Sequence, residues 1–154
     1  MLSIRAMTSG DIDAVLKLAT ETPEAPQWDR TAYERIVAFD KELASRAVWL
    51  AADATDLIGF AVAHLVAEAC ELESIVVAKC SRRKGIAKSL LDVLSRWALT
   101  RGARKLELEV RSGNQSAVAF YESAGFIREG LRPNYYRDPD EDAVLMGKPL
   151  YSDD

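Results

Sequence analysis

Apolar and polar residues are ordered along this chain in blocks whose period changes several times, and each change marks an element. A short apolar start at Leu2 to Met7 reads as a strand, and Ser9-Gly10-Asp11 offers a cap to a first helix in which Ile12, Val15, Leu16 and Ala19 recur at helical spacing. Thr22 to Pro26 breaks that helix, and Asp29 can cap a second one with Tyr33, Ile36 and Val37 on its core face. Ala47 to Ala52 and Leu57 to Val66 are apolar runs separated by Asp53-Ala54-Thr55-Asp56, the composition of a hairpin turn, and Cys70 to Val77 supplies a third strand. From Gly85 to Arg101 the period becomes helical, with Ala87, Leu90, Leu91, Leu94, Trp97 and Ala98 on one face. Lys105 to Val110 alternates as a strand, Asn114 can cap a helix that stops at Gly125, and Phe126 to Leu131 and Ala143 to Pro149 close the chain as strands. The order is βααβββαβαββ, an α/β fold with helices on the faces of one mixed, mostly antiparallel twisted sheet.

At 154 residues, without repeat, low-complexity tract or linker, residues 1–154 are expected to form one domain. The net charge of −4 argues against a general nucleic-acid binder. Two cysteines, Cys70 and Cys80, and a single histidine, His64, are too few for a four-ligand zinc site, so no metal is expected. The start of the chain lacks the apolar core of an export signal, and the longest uncharged stretch, Leu57 to Ala67, is too short to span a membrane. A cytoplasmic protein without a membrane partner is the expectation.

Against this acidic background Arg82, Arg83, Lys84 and Lys88 place four cations in seven residues around Gly85, Ile86 and Ala87, where a strand gives way to the long helix. Free backbone N–H groups and the dipole at a helix start attract anions, and Gly85 would let the backbone approach one closely. A solvated basic helix start is the plainer reading of the same residues. Neither a G-x-x-x-x-G-K-[ST] loop nor a G-x-G-x-x-G fingerprint occurs, so a phosphate-bearing ligand here is not one of the common nucleotides bound through those motifs.

In Leu106-Glu107-Leu108-Glu109-Val110 the apolar residues share one face and the two glutamates share the other. Solvent exposure is the ordinary fate of such carboxylates. Glu71 and Glu73 project to a common face of the neighbouring strand, where ion pairing is equally ordinary. His64, in an apolar strand, reads as a structural residue, and the cysteines as packing or surface thiols.

Strand Cys70 to Val77, loop Arg82 to Ala87, strand Leu106 to Val110 and the run Asn114 to Phe126 together resemble the GCN5-related N-acetyltransferase (GNAT) superfamily. Within it, Leu108-Glu109-Val110-Arg111, Phe120-Tyr121-Glu122, Arg132-Pro133-Asn134-Tyr135-Tyr136 and Pro26-Gln27-Trp28 resemble the RimI-type ribosomal-protein-alanine N-acetyltransferases. The resemblance implies that acetyl-CoA enters a V-shaped opening between the strands ending at Val77 and Val110. Its pantetheine arm would pair with backbone near Val76 and Val77, its pyrophosphate would lie on Arg82 to Ala87, and Asn114 and Tyr121 would also touch it. Backbone N–H groups near Val76 and Val77 would polarise the thioester carbonyl. Glu109 is implied as general base, through a water that Glu71 or Glu73 could help hold, and Tyr121 as the acid that protonates the departing sulfur. Asn134, Tyr135 and Tyr136 would form a loop over the acceptor peptide. Two departures stand out: Ala78-Lys79-Cys80 lacks the proline often found after that strand, and Ala87 stands where many members have glycine.

The acceptor implied is a protein N-terminus, such as that of a ribosomal protein, and the enzyme a monomer or weak homodimer. An α-amine with a reference pKa near 8 is easier to deprotonate at neutral pH than a lysine near 10.4, by roughly 3 kcal/mol. A small-molecule amine or a lysine on the same fold, or a non-catalytic acyl-CoA sensor, remain the alternatives.

Overall fold

The computed structural model describes residues 1–38, 44–137 and 140–151. Its strands are β1 (Leu2–Ala6), β2 (Arg46–Asp53), β3 (Asp56–Val66), β4 (Ala69–Val77), β5 (Lys105–Arg111), β6 (Ile127–Tyr136) and β7 (Glu141–Pro149). Its helices are α1 (Ile12–Thr20), α2 (Arg30–Ala38), α3 (Ile86–Thr100) and α4 (Gln115–Ser123). This is the order expected from the periodicity. Among the described residues no helix is long and apolar enough to cross a membrane.

The helix starts follow from local chemistry. Ahead of α1, a 3₁₀ turn at Ser9–Asp11 is closed by a reciprocal cap between Thr8 and Asp11, and Arg5 grips the Asp11 carboxylate with two hydrogen bonds of 2.7 and 2.8 Å. Asp29 accepts the Ala32 N–H at 3.0 Å to begin α2. Asn114 does the same for Ala117 at 3.2 Å to begin α4, and Gly125 in the left-handed region (φ 97°) ends it.

One sheet runs β1-β2-β3-β4-β5-β7-β6, and every neighbouring pair is antiparallel except β4 and β5. On one face α3 and α4 pack through Leu90, Leu94, Ala98, Val118 and Tyr121 onto Ala61, Ala63, Leu72, Leu106, Leu108 and Val110. On the other, α1 and α2 pack through Val15 and Tyr33 onto Leu50, Phe60, Val62 and Val76. Gly59 on β3 sets how closely α3 approaches: a Cβ there would lie 2.9 Å from the Val76 carbonyl oxygen and 3.3 Å from Ile86 Cγ2.

Two irregularities interrupt the ladders. On β4, Val62 of β3 stands opposite Ser74 and Ala63 opposite Leu72, so Glu73 is an extra residue, a bulge. Cys70 and Leu72 before it pack against the α3 side, whereas Ile75 and Val77 do so after it. The bulge therefore exchanges the two faces of the strand. On β6, Arg132 pairs with Ala143 and Tyr136 with Glu141, which leaves residues 133–135 opposite Asp142 alone.

Candidate active site

The only parallel pairing in the described sheet is also its shortest. Ala69, Cys70 and Glu71 stand opposite Lys105, Leu106 and Glu107, after which β4 and β5 run on without pairing to each other. β4 stays bonded to β3 as far as Val77, and β5 to β7 as far as Arg111. The two strands thus diverge, and among the described residues the inner edges of β4 from Leu72 and of β5 from Leu108 lack ladder partners. Main-chain polar groups left so seek another partner, and a ligand bearing amides can supply it.

The wide end of this opening meets the start of α3. Beyond a 3₁₀ turn at Lys79–Ser81, Arg83 (φ 65°) and Gly85 (φ 78°) both adopt left-handed conformations, and Gly85 forms the helix N-cap with no side-chain cap on the first turn. Uncapped N–H groups at a helix start next to alternating left-handed residues make a concave donor site suited to phosphate. Ile86 is buried beneath it, and Ala87 is half-buried. Arg82, though exposed, folds back on the strand end, donating its Nε–H to the Val77 carbonyl at 3.1 Å and lying 3.5 Å from Glu24. Lys88 lies 3.2 Å from Asp92 one turn on. Arg83 and Lys84 are exposed at the loop.

Because Leu106, Leu108 and Val110 pack into the α3 side, Glu107 and Glu109 emerge on the opposite face, beside Glu71. The two glutamates then differ. Glu107 lies 3.5 Å from Lys105, which also bonds Glu129 at 2.6 Å, a ladder of surface charges. Glu109 lies 3.4 Å from Arg132, and its carboxylate is near enough to the Tyr135 phenol to raise the Tyr135 pKa. Arg132 rides over the Tyr135 ring at 5.3 Å, and Tyr135 meets Tyr136 edge-on at 5.1 Å. Arg111 covers Tyr136 at 4.4 Å. Burial, then the charge of Glu109, raises the Tyr136 phenol, and burial, then Tyr136, raises that of Tyr121 far above its ordinary value. The Tyr121 ring sits edge-on to Phe126 at 5.5 Å and is 7% exposed. Glu109, Tyr135, Tyr136 and Tyr121 thereby form one electrostatically linked group.

Asn134, Tyr135 and Tyr136, expected in a loop, belong to β6, which runs longer than its apolar pattern. Pro133 has no N–H to give the ladder, so the strand buckles there instead of ending. Asn134 takes φ 52° and donates its N–H to Asp142 at 2.9 Å, and the buckle brings Tyr135 to Glu109. The Asn114 side-chain oxygen is committed to α4, accepting from Ala117 N–H and from the Ser116 hydroxyl, both at 3.2 Å.

On β4, Glu73 receives two hydrogen bonds from Arg46, at 2.8 and 3.1 Å. Glu71 lies 3.9 Å from His64, whose Nδ1 is 3.4 Å from Arg46. Ligand atoms of His64, Glu71 and Glu73 fall within 4.8 Å of one another, but the Arg46 guanidinium already supplies the positive charge there. Beside Glu73 opens a cavity of about 450 Å³ between α2 and the sheet, lined by Trp28, Ala32, Arg35, Ile36 and Arg46 among others. Arg35 and Arg46 carried no signal in the sequence, since lone arginines on a helix and a strand end are ordinary surface residues.

Fold and opening together define a class. Residues 12–126 match the acetyltransferase (GNAT) family, and the chain belongs to it. Among curated relatives, it is 38% identical over 96 residues to the [ribosomal protein bS18]-alanine N-acetyltransferase of Escherichia coli, a match covering 61% of this chain and 65% of that one. It is 35% identical over 149 residues to an uncharacterized protein of Mycobacterium leprae, a match covering 93% of this chain and 39% of that one. The chain thus spans less than two thirds of either relative. The crystal structure of the Escherichia coli ribosomal-protein-S18-alanine N-acetyltransferase superposes with a TM-score of 0.82 at 26% identity, covering 100% of this chain and 97% of that chain.

Proposed function

We propose that this chain transfers the acetyl group of acetyl-CoA to the N-terminal α-amine of a protein. The observation that carries the proposal is the divergence of β4 from β5 beside the Glu109, Tyr135, Tyr136 and Tyr121 group. The uncapped start of α3 fits a pyrophosphate, and the partnerless inner edge of β4 near Val76 and Val77 fits a pantetheine arm. Bound there, acetyl-CoA supplies an activated acetyl thioester.

Glu109, on the open face, takes the proton the amine sheds as it attacks, and Arg132 holds its carboxylate. Backbone N–H groups of β4 near Val76 and Val77 stabilise the negative charge developing on the carbonyl oxygen. Tyr121 carries its proton at neutral pH, as a phenol ordinarily does, and donates it to the departing sulfur as the C–S bond breaks. Arg83, Lys84 and the N–H groups of Gly85 to Ala87 hold phosphate. Glu71, Glu109 and the tyrosines of β6 form an acidic, aromatic lip that attracts a cationic N-terminus, and the cavity beside Glu73 gives the following residues somewhere to lie. The activity for which the Escherichia coli relatives are named supports an N-terminal acceptor.

Thiol release from acetyl-CoA tests this against peptides beginning with alanine, serine or methionine, the same peptides with blocked N-termini and an internal lysine, and polyamines. Turnover confined to free N-termini is the expected result. Turnover of blocked peptides or polyamines would overturn the acceptor, and binding without turnover would overturn catalysis.

A further inference from the structure

Buried hydroxyls in folded proteins find hydrogen-bond partners with few exceptions. Ser74 is an exception: it is 7% exposed, and its Oγ has no partner among the described residues. The other such atom, Trp49 Nε1, belongs to a side chain packed against the α3 side of the sheet. Ser74 lies just past the Glu73 bulge, where the faces of β4 exchange. Ile75 and Val77 pack on the α3 side and Val76 on the α1 and α2 side, so Ser74, in step with Val76, shares the face of Glu109.

The register also sets its height. Glu71 stands opposite Glu107, and two residues further along β5 lies Glu109. The same advance along β4, with the bulged pair counted as one, ends at Ser74. Counted from the last shared pair, Ser74 and Glu109 occupy corresponding positions on one face of the two diverging strands. A small residue filling the bulge would explain the size of Ser74, but alanine would fill it without burying an unpartnered hydroxyl.

We infer that Ser74 Oγ is a contact to the attacking amine, a reading that rests on the proposed function. A neutral primary amine has two N–H groups and one lone pair. The lone pair must point at the acetyl carbon, and one N–H must face Glu109. Ser74 accepts the second N–H from the other lip, which fixes the direction of the lone pair. As the C–N bond forms and the C–S bond breaks, one amine proton passes towards Glu109 and the sulfur receives one from Tyr121. The Ser74 hydroxyl neither gains nor loses a proton.

A secondary amine has no second N–H, which supplies the test. Wild type, Ser74→Ala and Ser74→Thr are assayed with an N-terminal alanine peptide and with its N-methylalanine counterpart, alongside acetyl-CoA affinity and thermal stability. With the alanine peptide, Ser74→Ala should lower kcat on the order of tenfold, as loss of one hydrogen bond implies. Acetyl-CoA affinity should hold, Tm should hold or rise because an unpartnered buried hydroxyl is removed, and Ser74→Thr should retain most of the turnover. With the N-methyl peptide, whose methyl stands where the second N–H would meet Ser74, Ser74→Ala should do at least as well as wild type. An unchanged kcat on the alanine peptide, or an equal loss on both peptides, would overturn the inference. A wild type that acetylates neither peptide would instead overturn the reading beneath it.

Discussion

Replacing Gly59 by alanine should damage both the stability of the fold and the binding of acetyl-CoA, through a single carbon. The added Cβ would lie 2.9 Å from the Val76 carbonyl oxygen, 3.3 Å from Ile86 Cγ2 and 3.5 Å from Leu90 Cδ1. Relief of the tightest contact requires a shift of about 0.5 Å, and none of the three neighbours gives easily. One is main chain, and Ile86 and Leu90 are buried side chains on a helix fixed to the sheet. Overpacking of this kind costs about 1–3 kcal/mol. With an unfolding entropy of about 2.1 cal/mol/K per residue over a chain of 154 residues, that lowers Tm by roughly 3–9 °C. The displaced groups are also those that set the distance from β4 to the start of α3, so acetyl-CoA affinity should fall several-fold. Circular dichroism melting and titration calorimetry read the two effects. A Gly59→Ala protein with wild-type Tm and wild-type affinity would refute the claim that this glycine sets the helix-to-strand spacing.

Glu109→Gln should cut turnover by at least about a hundredfold, the lower range for a general base, with acetyl-CoA affinity unchanged; undiminished turnover would remove Glu109 as the base. Tyr121→Phe keeps the ring against Phe126, so it should melt near wild type and lose about a hundredfold in kcat; retained activity would send the search for the acid elsewhere. Arg5 holds the Asp11 carboxyl well below the usual carboxylate range, so the unfolded state takes up that proton first as pH falls. The contribution is complete above the unfolded pKa of about 4 and is lost progressively below it, so Arg5→Met should cost about 1 kcal/mol at pH 7 and much less near pH 2. Equal losses at both pH values in urea melts would contradict this. Burial pushes the Cys70 thiol up to about 12, whereas Cys80 is exposed, so a thiol reagent at pH 8 should label one cysteine natively and two in denaturant.

Periodicity located all the elements because each buries a face against a contiguous layer, and the burial of Leu90, Leu91, Leu94 and Ala98 on α3 is the clearest case. The sharp entry into α3 was legible because Gly85 marks a backbone position that favours the left-handed region, where its φ is 78°. What escaped was whatever broke the period. Strict alternation along β4 puts Cys70, Leu72, Ser74 and Val76 on one face, and nothing in Leu72-Glu73-Ser74 announces the bulge that reverses it. Arg132-Pro133-Asn134 read as the end of a strand because proline and asparagine usually punctuate one, yet cross-strand pairing resumes at Tyr136. Gly59 escaped because a glycine between apolar residues does not reveal which backbone presses against it. The difference in surroundings between Glu107 and Glu109 depends on partners from β6, twenty or more residues away, which alternation along β5 cannot reveal.

The sheet is joined at its centre by three residue pairs between β4 and β5. On one side lie β1 to β4, on the other β5 to β7, and each group is continuously bonded within itself. In the ladder these are two leaves on a short spine, backed by the one core beneath α3 and α4, and a ligand laid along the free inner edges acts as a further splice between them. Loading should therefore stiffen the whole molecule, raising its melting temperature with ligand concentration as mass action requires.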